Sequence, residues 1–260
     1  MTQSFKNDLV RGYRQLPMVL HMALSDTRVR YRRSVLGPWW LTLGAAISIA
    51  GLGAVWSGLL NQDPAQFIPK LAVGLILWQF ISGCITEAPS VFIRQAQIIR
   101  NFDLPYSIYP SQLLLRQLIT LAHNAAILVG IVLIFPHAFS PLAGLGLIGF
   151  VLVAANMLWI SVVVGMVGAR YRDVEPLVQS LMPLIFFVTP VIYDVDRLGL
   201  NRFIVWANPF SYFMSVVRSP FFGVVPPPFV YGVTLLMLVV GWSLAFWLFN
   251  RRGSRIAFWV

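Results

Sequence analysis

The residues of this chain best suited to chemistry are aromatic. Phe186, Phe187, Tyr193, Trp206, Phe210, Tyr212, Phe213, Phe221 and Phe222 crowd one region of a sequence with 19 Phe, 9 Trp and 8 Tyr. Aromatic faces stack on the C–H faces of sugar rings, burying area while tolerating sliding. For any one of them, packing or a place in an interfacial belt is the ordinary role, as for Trp39, Trp40, Trp242 and Trp247 near the ends of apolar stretches. Taken together, the set is a candidate lining for a path. Bond-making groups are missing. His21, His123 and His137 are scattered, and His123 beside Asn124 reads as an interhelical hydrogen-bonding pair rather than a metal ligand. No His-x-x-x-His or His-Glu pair marks a metal centre. No Gly-x-x-x-x-Gly-Lys loop is present to cradle ATP, and Cys84 is alone. The reading is a non-enzyme with no catalytic residue and no cofactor or metal of its own.

The elements that must position these aromatics are membrane spans. The chain is 58% hydrophobic and only 11% charged, where soluble domains carry about a quarter charged residues. From Ser34 to Gln62 there is no charge, directly behind the cluster Arg28, Arg30, Arg32 and Arg33. Charge-free runs predict spans at about 36–60, 71–87, 113–135, 142–168, 176–193 and 229–249, with Lys70 and Glu87 snorkelling at the ends of the second. Phe203–Val217 is apolar but contains Pro209. As a helix it reaches roughly 22 Å, short of the roughly 30 Å hydrocarbon core, so 198–223 is expected to form a re-entrant hairpin. Leu20, Leu24, Thr27, Tyr31 and Val35 follow Pro17 at helical spacing, which predicts an amphipathic helix in the membrane interface. The fold expected is an all-α membrane protein. It has six transmembrane helices, an N-terminal interfacial helix, and a re-entrant extracytoplasmic hairpin between helices 5 and 6. Residues 1–35 form the N-terminal segment, 36–250 the membrane domain and 251–260 a C-terminal tail.

Charge sets the orientation. With both termini cytoplasmic, only Lys70, Arg197, Arg202 and Arg218 of the 19 basic residues fall on the outer side. The positive-inside rule thus accounts for the net charge of +10 without nucleic acid. Arg28, Arg30, Arg32 and Arg33 are expected at lipid headgroups. The predicted span interiors hold almost no charge, which argues against a carrier driven by protons or sodium; any transport would take its energy from a separate protein.

Four segments resemble a known family. They are Arg30-Tyr31-Arg32-Arg33-Ser34-Val35-Leu36-Gly37-Pro38-Trp39-Trp40; Ile99-Arg100-Asn101-Phe102-Asp103-Leu104-Pro105 with Pro110; Arg170-Tyr171-Arg172-Asp173-Val174 leading to Thr189-Pro190-Val191-Ile192-Tyr193; and Asn208-Pro209-Phe210 with Arg218 and Gly223. In order and spacing they are similar to the permease subunit of ABC-2-type exporters of bacterial polysaccharides, which move O antigens, capsules and teichoic acids. The resemblance implies a homodimer in the bacterial inner membrane, paired with two copies of a cytoplasmic ATPase that carries ATP and Mg. It implies a polyprenyl-linked polysaccharide as substrate. It also implies ATPase contacts in the segment Pro89–Gln112, where Arg94, Gln97, Arg100 and Asp103 are the candidates. Spans one and five become the path lining, with Trp40, Phe186, Phe187 and Tyr193 against sugar and the hairpin bearing Phe210 and Tyr212 as an outer gate. A permease for a small molecule or drug, a membrane scaffold and an intramembrane enzyme are the competing classes. The last lacks any nucleophile–base constellation.

Overall fold

The computed structural model describes residues 4–30, 32, 34–37, 39–193 and 202–260, with Arg30 and Arg202 described by their backbone alone. Tyr31, Arg33, Pro38, Arg197 and residues 198–201 of the expected hairpin lie outside them. Among the described residues every regular element is helical. Five of the described helices are long and apolar enough to cross a bilayer: α3 (Trp39–Leu59), α4 (Pro64–Glu87), α6 (Ile108–Ile134), α7 (Ala143–Arg170) and α11 (Pro228–Arg252). The stretch expected at 176–193 is a shorter apolar helix, α8 (Val174–Val188), of 15 residues. It spans roughly 22 Å and continues as the non-helical turn 189–193.

α4 is the axis of the bundle, packed by α3, α6, α7, α8 and α10 (Pro209–Phe221). Every residue from Leu71 to Trp78 is buried, which only a helix apolar on all sides tolerates. It begins at Pro64 rather than near 71. The Asp63 carboxylate accepts the Ala65 N–H at 3.0 Å, and Pro64 fills a first-turn position where no N–H is needed. Lys70 is therefore nearly two turns inside the helix rather than at its edge. Of the pair His123–Asn124, only Asn124 bridges helices, donating to Gln79 Oε1 at 2.9 Å. His123 stays on its own helix, 2.7 Å from the Ile119 carbonyl, with Trp39 edge-on to its ring.

A second core closes one end of the bundle, hereafter the basic end. It joins α1 (Phe5–Arg14), α2 (Leu16–Arg30), the segment after α4, and the last turns of α7 and α11. Phe5 stacks on Phe249 at 4.4 Å, and its N–H donates to Asn250 Oδ1 at 2.9 Å. α2 packs on α6 through buried Val19 and Ala23, leaving Leu20, Leu24 and Val35 outward. Residues 251–260 are not a free tail: α12 (Ile256–Trp259) packs on α7, with Ile256 and Val260 buried.

Asp8 shows how α1 is fastened. Ser107 precedes α6 but does not cap it with its own side chain. Instead the Asp8 carboxylate accepts the N–H groups of Tyr106 and Ser107, each at 2.8 Å, so α1 caps α6 from across the fold. Asp8→Ala leaves the buried Ser107 N–H and the part-buried Tyr106 N–H unpaired and is expected to cost about 1–3 kcal/mol, read as a lower melting temperature of the purified chain. Burial raises the Asp8 carboxyl above the ordinary carboxylate value, outweighing the hydrogen bonds and Arg11 that lower it. The folded state therefore holds its proton to higher pH than the unfolded chain. Stability from this group falls as pH rises from the usual carboxylate range through the folded value, then levels. Asp8→Asn is expected to flatten that stretch of the profile.

Candidate functional site

Helical periodicity brings a stripe of α4 against a stripe of α8. Trp78, Ser82 and Thr86 recur every four residues on α4, while Gln179, Met182, Pro183, Phe186 and Phe187 face them from α8. Between the two lies an open groove of about 440 Å³. Its walls mix aromatic faces with two hydroxyls and an amide, the pairing that recognises a ring bearing both C–H faces and hydroxyl groups. Trp78 meets Phe186 at 5.7 Å between ring centroids, and Phe186 meets Phe187 edge-on at 5.5 Å. Phe187 is 70% exposed, so it is the member most available to a ligand.

The structure divides the other aromatic candidates. Phe210 stands behind the groove, edge-on to Trp78 at 6.1 Å. Tyr212 belongs to another cluster with Trp206 and Phe229, at 5.1 and 6.4 Å. The Tyr193 hydroxyl turns back to the α8 end, donating to the Val188 carbonyl at 2.8 Å. Trp40 is exposed on α3, which packs on α4 and α6. Trp78, Ser82, Thr86 and Gln179 were not among the sequence candidates, although the spacing 78–82–86 is a readable helical stripe.

At the basic end, the segment after α4 is folded rather than looped. Two short 3-10 turns, Ala88–Ser90 and Ile93–Gln95, lead into α5 (Ala96–Asn101), with Val91, Phe92 and Ile99 buried. Its charged candidates are held within the chain. Arg94 Nη1 donates to Glu87 Oε2 at 2.9 Å and Nη2 lies 3.8 Å from Glu175 of α8. Arg100 donates to the Val260 oxygen through Nε at 2.9 Å and through Nη2. Asp103 pairs with Arg11 at 3.2 Å, and Gln97 is exposed. Glu87 also accepts from Arg116 and from Gln117 (3.1 Å), while Asp26 of α2 takes Gln112 at 2.6 Å and Arg116 at 3.5 Å. One chain of charge thus ties α2, α4, α6 and α8 to the segment. Of the arginine cluster, Arg28 and Arg32 are exposed; the Arg30 side chain and Arg33 lie outside the described residues.

Two of the sequence motifs meet at the opposite, far end. The turn Thr189-Pro190-Val191-Ile192-Tyr193 lies against Asn208 and Arg218, both on or next to α10. A described short helix, α9 (Arg202–Ala207), precedes Asn208, whose side chain starts α10 by accepting the Phe210 N–H at 3.0 Å.

Comparison with known proteins adds relatives to this geometry. Residues 19–222 match the family described as ABC-2 type transporter. Two Klebsiella pneumoniae proteins, each named O-antigen export system permease protein RfbA, are 25% identical over 241 residues, 89% of this chain and 90% of theirs. The protein of that name from Myxococcus xanthus is 19% identical over 217 residues, 81% of this chain and 82% of its own.

Proposed function

This chain belongs to the ABC-2 type transporter family, and on that premise we propose that it is the membrane-spanning permease of an ATP-driven exporter of lipid-linked polysaccharide. Export runs from the cytoplasm outward across the bacterial inner membrane. ATP and Mg are bound by a separate ATPase, two copies of which serve a permease dimer. The groove between α4 and α8 carries this reading, because its aromatic faces and its Ser82, Thr86 and Gln179 groups suit a chain of sugar rings better than a uniformly apolar solute. The names of the relatives support the same substrate class.

In this reading α8 and the turn 189–193 make the sixth crossing, and α9 with α10 returns into the outer leaflet. Both termini and the basic end face the cytoplasm. The exposed faces of α3 and α8, with Trp40 on the first and Phe187 on the second, meet their counterparts across the dimer. Segment 88–107 receives the ATPase through outward groups such as Gln97 and Phe102, while Arg94 and Arg100 hold that segment in shape.

Depletion of the chain in its own cell is the direct test. Lipid-linked polysaccharide accumulating on the cytoplasmic face, with loss from the surface, is the expected result; an unchanged surface points to a small-molecule permease instead. Within the groove, Phe187→Ala is expected to slow export several-fold at unchanged membrane abundance, since removing one stacking face loses about 0.5–1.5 kcal/mol. Normal surface polymer in that variant removes the groove from the path.

A further inference from the structure

We infer that Arg218 is a positioning residue: its guanidinium clasps the turn that ends α8 and so fixes the outer end of the aromatic groove. Relevance to export rests on the reading of that groove as the transport path; the clasp itself does not.

The end of α8 needs partners. Helix carbonyls in the last turn, and those of the turn that follows, have no N–H ahead of them to accept from. Thr189 leaves the helix in an extended conformation, with its N–H and its hydroxyl both returned to the Ile185 carbonyl at 2.9 and 2.7 Å. Beyond it the carbonyls converge on one side chain. Arg218 Nη1 donates to the Pro190 and Val191 oxygens at 2.6 and 2.9 Å, and Nη2 to the Tyr193 oxygen at 3.3 Å. A planar fork of donors can address three carbonyls at once; an ammonium on a flexible stem cannot hold the same three in fixed directions. Arg218 is only 9% exposed, and a cation facing carbonyls beyond a helix C-terminus sits on the favourable side of the helix dipole.

Two further contacts grip the same turn. Asn208 Nδ2 donates to Thr189 Oγ1 at 2.8 Å while its oxygen caps α10. From below, α4 presents Gly74, whose added Cβ would stand 2.7 Å from the Val191 oxygen. The turn is therefore floored by α4 and held from α10 and its cap at Thr189, Pro190, Val191 and Tyr193. Phe186 and Phe187 occupy the last turn of α8, immediately before it, and the Tyr193 hydroxyl returns to Val188. Moving the turn moves the two rings that wall the groove. Burying a charge is a poor way to gain stability when an apolar packing is available, so the use of arginine here points to defined geometry as its role.

Arg218→Lys tests this, because it keeps the charge and most of the volume while losing the fork. A cysteine in place of Phe187 reports the position of the last turn; Cys84 is buried and stays. In Phe187→Cys chains, Arg218→Lys is expected to change labelling by a membrane-impermeant maleimide about tenfold, the scale on which losing one charge-assisted hydrogen bond shifts an equilibrium. Asn208→Ala should act in the same direction, and the double variant should fall short of the product of the two effects, as residues gripping one turn must. Membrane abundance is measured alongside. Labelling at the parent rate in Arg218→Lys overturns the clasp, as does a change that appears only in step with loss of protein. Export is scored separately in Arg218→Lys with Phe187 intact and is expected to fall. Normal export there together with altered labelling keeps the clasp and removes the groove from the path.

Discussion

Gly168→Val is expected to remove most of the folded chain from the membrane, and Gly168→Ala a large part of it. Gly168 is near the end of α7, where the 88–90 turn crosses it. A Cβ added there would stand 2.2 Å from the Pro89 oxygen and 2.6 Å from the Pro89 Cα, distances no real Cβ adopts. The obstacle is backbone, so no side chain can rotate out of the way. The turn would have to lift from α7, taking with it Val91 and Phe92, both buried in the core of the basic end. Overpacking against a mobile side chain costs about 1–3 kcal/mol, and a backbone obstacle belongs at or above the top of that range. Gly232 is the control: nothing lies within 4 Å of its added Cβ, and Gly232→Ala should be neutral or slightly stabilising because alanine suits a helix better. Abundance and monodispersity of detergent-extracted chain give the readout. Equal recovery of Gly168→Ala and Gly232→Ala would mean that the turn does not sit on α7 as described.

Glu87→Ala is expected to produce the second large loss, about 3 kcal/mol, the lower end of the range for stripping one partner from a buried ion pair, since this pair is part-buried. Glu87 and Arg116 are 18% and 13% exposed at the side chain, so solvent screens their pairing little. Alanine strips the Arg116 guanidinium of its Glu87 partner while Asp26 stays at 3.5 Å, and unties Arg94 from α4. Glu87→Gln keeps the shape and should cost less, while the Glu87→Ala, Arg116→Ala double variant should be less damaged than the sum of the singles. Melting of the purified chain decides it: a midpoint for Glu87→Ala within about 1 °C of the parent refutes a structural role for the pair.

What the sequence reveals and conceals follows from the range of each signal. Long apolar runs are local, so α3, α6, α7 and α11 could be seen in the composition of their own segments. The start of α4 was obscured because Lys70 looked like a boundary, whereas the actual start signal is the pair Asp63–Pro64. α1 carried little local evidence: its fixed points, Phe5 and Asp8, depend on Asn250 and Ser107, far away in the chain. The same holds for Arg94, Arg100 and Asp103, whose partners are visible only once the chain is folded. The parting of Phe210 from Tyr212 was legible in principle. Two residues along a helix turn the side chain by about 200°, so one faces Trp78 while the other faces Trp206.

α7 bears close contacts at both ends. Near the far end Gly146 and Gly149 admit α10, the added Cβ of Gly149 falling 2.4 Å from the Val216 oxygen; near the basic end Gly165 and Gly168 admit the 88–90 turn. The outer and inner notches, measured from Gly149 to Gly168, are separated by roughly 28 Å of helix at 1.5 Å per residue. The helix therefore acts as a ruler with a fixed phase as well as a fixed length. Inserting or deleting a single residue between the notches would shift one end by about 1.5 Å and rotate it by about 100° relative to the other. Side chains between the notches can vary in size with local repacking, but their number cannot change. Homologous chains that share this crossing at both ends should differ in length in their loops and keep this interval constant.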